Sequence, residues 1–85
     1  HFTVTLDSPA RTRRVAVVFD DSKEYPHGAV LEASADGKTY YKVADEVKGG
    51  RMEARFKMQR KVKSLRLRLT REQQNRLTIR EFYFR

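Results

Sequence analysis

The chain has no cysteine and no tryptophan, only two prolines and four glycines, and no apolar run longer than Val15 to Phe19. Without cysteine, neither a disulfide framework nor a thiolate metal site can hold it together, and the redox compartment leaves no mark on the sequence. The apolar run is far too short for a membrane-spanning helix, and nothing at the start reads as a secretory signal. His1 is no natural initiator, so the chain is expected to be cut from a longer protein. Its 85 residues suit one small domain and are too few for two. Valine, leucine, isoleucine, phenylalanine and tyrosine nevertheless recur too regularly for a disordered basic tail, so the chain is expected to fold with little core to spare.

The charge is uneven. The net charge is +8, yet residues 1 to 50 carry 7 basic and 8 acidic side chains while residues 51 to 85 carry 12 basic and 3 acidic. A stripe of this kind could displace counterions from a phosphate chain, and an anionic glycan or lipid surface would feel the same field. The plainer reading outweighs it. Arg51, Arg55 and Lys57 alternate with Met52, Ala54, Phe56 and Met58, and Arg66 and Arg68 alternate with Leu65, Leu67 and Leu69, as on the wet face of an antiparallel sheet.

Period-two alternation between turn signals runs the length of the chain, and no window of helical length keeps a 3.6-residue apolar stripe. The reading is all-β, with about seven strands. Phe2, Val4 and Leu6 share one face of a first strand, which Asp7-Ser8-Pro9 is expected to end, because proline cannot donate to a ladder and Asp and Ser cap turns. Residues 14 to 19 make a second strand, residues 20 to 28 a polar loop, and residues 29 to 34 a third. Asp36-Gly37 supplies the positive-φ positions of a tight hairpin to residues 39 to 44. Gly49-Gly50 makes the next break, followed by strands at 51 to 58, 64 to 70 and 77 to 84. In the last of these Leu77 and Ile79 occupy one parity, Phe82 and Phe84 the other. One extra residue near Arg80-Glu81, a β-bulge, would bring them to a common face.

Ser34-Ala35-Asp36-Gly37-Lys38-Thr39-Tyr40-Tyr41 resembles the Ser-x-Asp-Gly-x-x-Trp hairpin of discoidin domains, also called coagulation factor 5/8 type C domains, with Tyr41 where the tryptophan usually stands. Phe2 to Leu6 looks like their aromatic-x-Val-Asp-Leu strand, Arg14 to Phe19 like their apolar second strand, Leu65 to Leu69 like their Arg-Leu strand, and Ile79 to Phe82 like their closing strand with its Glu. The resemblance implies an antiparallel jelly-roll β-sandwich, galactose-binding-domain-like, with family 32 carbohydrate-binding modules among its relatives. Two departures stand out. The N-terminal third that usually carries a calcium-binding turn has no counterpart here, so no metal or cofactor is expected, and the chain has no Trp on which to stack a sugar.

If successive strands run antiparallel, the connections at 20 to 28, 45 to 50 and 71 to 76 share one end of the sandwich, and the 35 to 38 hairpin lies at the other. The first end is where discoidin relatives hold ligands. It offers Tyr25 and His27 as rings, Asp20, Asp21 and Glu24 as acceptors, and Lys23, Gln73, Gln74, Asn75 and Arg76 as donors. A sugar needs an apolar platform for its C–H face and paired polar groups for vicinal hydroxyls. The candidate ligand-binding residues are therefore Asp21, Lys23, Tyr25, His27, Gln74, Asn75 and Arg76. Each also has a plainer role: Tyr25 beside Pro26 can cover the rim, the aspartates can cap the loop, and Gln73 to Asn75 are ordinary turn residues. Glu81 could pair structurally with Arg66 or Arg68.

No nucleophile with a base and an orienting group can be assembled from the sequence, and no His or carboxylate spacing fits a metal site. The expectation is a non-enzymatic module of a larger extracellular or periplasmic protein, a glycoside hydrolase by family analogy, with a glycan as partner. In a second reading the domain packs against an adjacent catalytic domain of the same chain and binds no free ligand. In a third it binds a polyanion through the strands at 51 to 58 and 64 to 70.

Overall fold

The computed structural model describes residues 2–19, 28–69 and 79–85, and the described residues are all-β, with no helix among them. Five strands form one antiparallel sheet: β1 (Phe2–Phe19), β2 (Ala29–Ser34), β3 (Tyr41–Ala44), β4 (Arg51–Leu69) and β5 (Ile79–Phe84). Their order across the sheet is β3-β2-β4-β1-β5.

The two long strands dictate the shape. A straight strand of this length would reach about 60 Å at the usual rise per residue, yet the longest dimension of the domain is 34 Å. β1 and β4 must therefore bend, and their pairing shows where. Phe2 to Thr5 pair with Leu67 to Ser64, but the next rung is Ala10 with Val62, so β1 holds extra residues between Thr5 and Ala10. Further on, Thr12 pairs with Arg60 and Arg14 with Arg55, so at the second irregularity the extra residues lie on β4. Each strand makes the longer path once, and the original pairing frame is restored beyond the second bend.

The sheet is thus folded over one core. In one half β5, β1 and the start of β4 lie side by side; in the other, the start of β1, the end of β4, β2 and β3. Val15, Val17, Phe19, Met52 and Ala54 from the first half form a single buried cluster with Leu31, Ala33, Leu65 and Leu67 from the second. Core-facing residues are even-numbered at the start of β1 and odd-numbered at its end, and the same change occurs along β4, from Met52 and Ala54 to Leu65 and Leu67. The bends carry that change of parity, so the same face of the folded sheet stays inside.

Several sequence expectations change accordingly. Asp7-Ser8-Pro9 does not end a strand; it sits in the first bend, where a residue without an N–H leaves no ladder bond unmade. Residues 51 to 58 and 64 to 70 belong to one strand, Arg51–Leu69. Among the described residues the strand count is five instead of about seven for these two reasons. The β2–β3 turn is built differently from a tight hairpin, because only Gly37 has positive φ there, at 80°. Asp36 acts through its side chain instead: Oδ1 accepts the backbone N–H groups of Lys38 at 2.8 Å and Thr39 at 2.9 Å and the Ser34 hydroxyl at 2.9 Å. Ser34 Oγ in turn accepts the Gly37 N–H at 2.8 Å. Gly49 and Gly50 are the tighter turn, with φ of 58° and 76° between Lys48 and Arg51, which exchange backbone bonds of 2.9 and 3.1 Å. Two consecutive positive φ values are what a twisted two-residue turn requires.

The bulge expected in the last strand is present. Val18 pairs with Glu81 and Phe19 with Ile79, which leaves Arg80 as the extra residue, and Ile79, Phe82 and Phe84 all pack on the core.

Candidate functional site

The rungs that close the open side of the fold decide which segments can meet. Phe19 pairs with Ile79, and Ala29 pairs with Leu69. Residues 20–28 and 70–78 therefore connect the same two rungs. The third connection, 45–50, leaves Ala44, which pairs with Leu31, and delivers Arg51, which pairs with Val18. Ser34 and the turn after it lie at the far end of β2, beside Ser64. The seven residues singled out as ligand-binding candidates, Asp21, Lys23, Tyr25, His27, Gln74, Asn75 and Arg76, lie outside the described residues.

Around the 45–50 connection there is a concavity of about 380 Å³, lined by Val43, Ala44, Asp45, Glu46, Lys48, Arg51 and Glu53. Its volume falls within the range of small-ligand sites. β3 supplies its apolar part with the half-buried Val43 and Ala44, and the Gly49-Gly50 turn folds Lys48 and Arg51 against each other across its rim. Glu53 is already committed. It lies 3.1 Å from Arg14 Nε, 3.4 Å from Arg51 Nη1 and 3.1 Å from Arg55 Nε, and holds three arginines on the outer face of the sheet. Asp45 and Glu46 are freer. Their partners, Lys42 at 3.1 Å and Lys48 at 3.7 Å, belong to exposed ion pairs. Such pairs contribute little to stability, so ligand hydroxyls can replace either member at small cost.

None of these lining residues was a sequence candidate, although the 45–50 connection was placed at the ligand end. Its composition, Asp45-Glu46-Val47-Lys48, carries no ring and no amide, and the cavity arises only because β3 and the start of β4 are brought together by the fold.

A second surface lies at the opposite end, where the long strands bend. Arg11 pairs with Lys61 across the ladder, and Arg13, Lys57, Arg60 and Lys63 are their neighbours in sequence or register. Among the described residues no carboxylate lies within ion-pair distance of any of the six, in contrast to Arg14, Arg51, Arg55, Arg66 and Arg68. Arg60 is held over two rings, 4.7 Å from the centroid of Phe56 and 5.8 Å from that of Tyr41. Met58, at the outer turn of the bend, is 76% exposed.

The pair expected at Glu81 forms elsewhere. Glu81 is exposed, and the carboxylate facing Arg66 and Arg68 is the buried Glu32, whose Oε1 lies 3.0 and 3.4 Å from their Nε atoms. Glu32 and Arg66 stand directly opposite each other on β2 and β4, a register the sequence does not reveal.

No family model, curated protein or solved structure matches this chain. Among the described residues no helix is long and apolar enough to cross a membrane, and no three His, Cys, Asp or Glu side chains are grouped as metal ligands would be.

Proposed function

We propose that the chain is a non-catalytic carbohydrate-binding module of a larger extracellular or periplasmic protein, with a discoidin-like jelly-roll sandwich as its fold. The observation that carries this reading is the concavity between β3 and the start of β4, at the end of the fold where residues 20–28 and 70–78 are anchored. Its carboxylates, ammonium and guanidinium lie beside a small apolar patch, the mixture that sugar hydroxyls and a sugar C–H face require. The Ser34 to Tyr41 hairpin adds the resemblance to carbohydrate-binding relatives. Weak affinity is expected, since no aromatic platform lines the concavity itself.

The test is an amide NMR titration of the chain with a panel of neutral mono- and disaccharides. Shifts at Val43 to Lys48 together with residues 20 to 28 and 71 to 76 support the reading. Asp45→Ala/Glu46→Ala and Tyr25→Ala/Arg76→Ala should each weaken binding by about tenfold or more, as expected when one or two hydrogen bonds to a ligand are lost. Saturating sugar with no shift at any of these positions would overturn it and leave a domain that packs against a catalytic neighbour.

A second reading, binding of a polyanion, is favoured by one specific observation: among the described residues, no carboxylate lies within ion-pair distance of the six cations at the bends. It predicts heparin-induced shifts at Arg11, Arg13, Lys57, Lys61 and Lys63 that weaken steeply with salt, because each anionic contact releases counterions. Salt-independent heparin affinity would remove it.

A further inference from the structure

Among the described residues the folded sheet leaves four margins without a neighbouring strand, and three of them are protected against pairing with another chain. β3 is four residues long and carries the exposed Lys42; β5 carries the exposed Glu81; and the margin of β4 ahead of its pairing with β2 carries Arg51, Arg55 and Lys57, all exposed. Charges and shortness are the ordinary means of blunting an edge. The fourth margin, the start of β1, has neither. Among the described residues Phe2 to Thr5 pair with β4 on one side only, and neither β5 nor the backbone bonds of Arg85 beyond it reach β1 earlier than Arg13. Phe2-Thr3-Val4-Thr5-Leu6 contains no charged residue, no proline and no glycine, and the bend that would disrupt it starts only after Thr5. Phe2 stands 38% exposed at its tip.

We propose that this margin is a self-association site, on which a second copy of the chain adds the same segment antiparallel about a two-fold axis at Val4. The choice of a second copy rests on the pattern of the segment itself. An antiparallel pairing centred on Val4 sets Phe2 against Leu6 of the other copy, Val4 against Val4, and Thr3 against Thr5. Aromatic–aliphatic pairs then share the core-side face and threonine pairs the outer face, which are the cross-strand combinations that stabilise a sheet. Any one-residue slip would set apolar against hydroxyl side chains throughout. The pairing is isologous and closes at two copies. A five-residue ladder covers less than the about 1,000 Å² typical of stable complexes, so the dimer is weak and reversible. Both copies carry +8, and the paired segment is neutral, so added salt strengthens the association by screening repulsion.

Sedimentation equilibrium of the chain from micromolar to millimolar concentration tests this. The weight-average mass should rise from 10.0 kDa towards twice that value, and more completely at physiological than at low salt. Thr3→Lys/Thr5→Lys sets lysine against lysine across the axis and should abolish the rise; Thr3→Glu/Thr5→Glu should do the same. An equimolar mixture of the two variants at low salt should restore the dimer, an outcome that misfolded variants would not produce. Thr5 Oγ1 lies 3.1 Å from Ser64 Oγ, so the single Thr3→Lys variant, which spares that contact, provides the check in which folding is least disturbed, with a weaker dimer expected. A chain that stays monomeric at the highest concentration, lysine variants that associate like the parent, or a mixture that remains monomeric would overturn the proposal.

Discussion

The guanidinium of Arg66 lies over the ring of Tyr40, 4.0 Å from its centroid, while the Tyr40 hydroxyl is 2.8 Å from that of Ser64. One side chain from the β2–β3 turn therefore clamps two positions of β4 from the outer face. Ser64 is fully buried as a result and also donates to the Val4 carbonyl at 3.1 Å. Tyr40→Phe should keep the ring under Arg66 and lose the hydroxyl contact, at a cost of about 1 kcal/mol. Tyr40→Ala should cost more, because the cation–π contact and the buried ring area go as well. Urea unfolding of the two variants measures both steps, and equal losses would mean that the ring contributes nothing.

Asp36 makes the β2–β3 turn sensitive to acid. Backbone N–H bonds from Thr39 and Lys38, with the Ser34 hydroxyl, lower its pKa from 3.8 to about 2. A group with a depressed folded-state pKa contributes stability above its unfolded value and loses it as pH falls through the folded one. The contribution should be fully present above about pH 5 and vanish between pH 4 and 2. Asp36→Asn should lower the melting temperature at neutral pH, with the difference from the parent shrinking towards pH 2. A difference that persists unchanged at pH 2 would show that the charge of Asp36 is irrelevant.

Leu67 stands opposite Phe2 on one side and Leu31 on the other, with no exposed surface. Leu67→Ala should cost about 2–5 kcal/mol, since the strands on both sides limit how far the site can collapse. In a domain this small that is a large share of the total stability. Phe2→Ala at the partly exposed margin should cost clearly less, and chemical denaturation ranks the two.

Gly49 has open space where a Cβ would stand, but its φ is 58°. Gly49→Ala should therefore destabilise by about 1 kcal/mol through backbone conformation alone, and Gly49→Asn by less, because Asn tolerates the left-handed region. Equal effects from the two substitutions would point to a steric cause that the structure does not contain.

Alternation made the all-β character readable directly from the sequence, and the shift from Ile79 to Phe82 and Phe84 located the bulge at Arg80. Strand number was harder to read. Pro9 and the polar stretch from Lys57 to Lys61 carry the same local signals whether a strand ends or turns a corner, and only pairing with a distant strand separates the two cases. Glu32 illustrates the same limit for charge pairs. Its partners Arg66 and Arg68 are set by β2–β4 register, which no neighbouring residue encodes. For the candidate site, the sequence pointed to the end where the 45–50 connection lies, but the concavity depends on Val43 and Glu53 being brought near each other from either side of the Gly49-Gly50 turn.

The two bends of β1 and β4 behave like a road that curves one way and then the other, with each strand taking the outside lane once. Equal lengths of chain enter and leave, and neither bend can be shortened independently. Trimming the surplus from β4 near Met58 while leaving that of β1 near Pro9 would put the strands three residues out of step beyond the second curve. Three is odd, so Val15 and Val17 would turn outward and Arg14, Ala16 and Val18 inward. Length changes at these two surface segments should therefore be tolerated only as matched pairs, a constraint unusual for positions so far from the core.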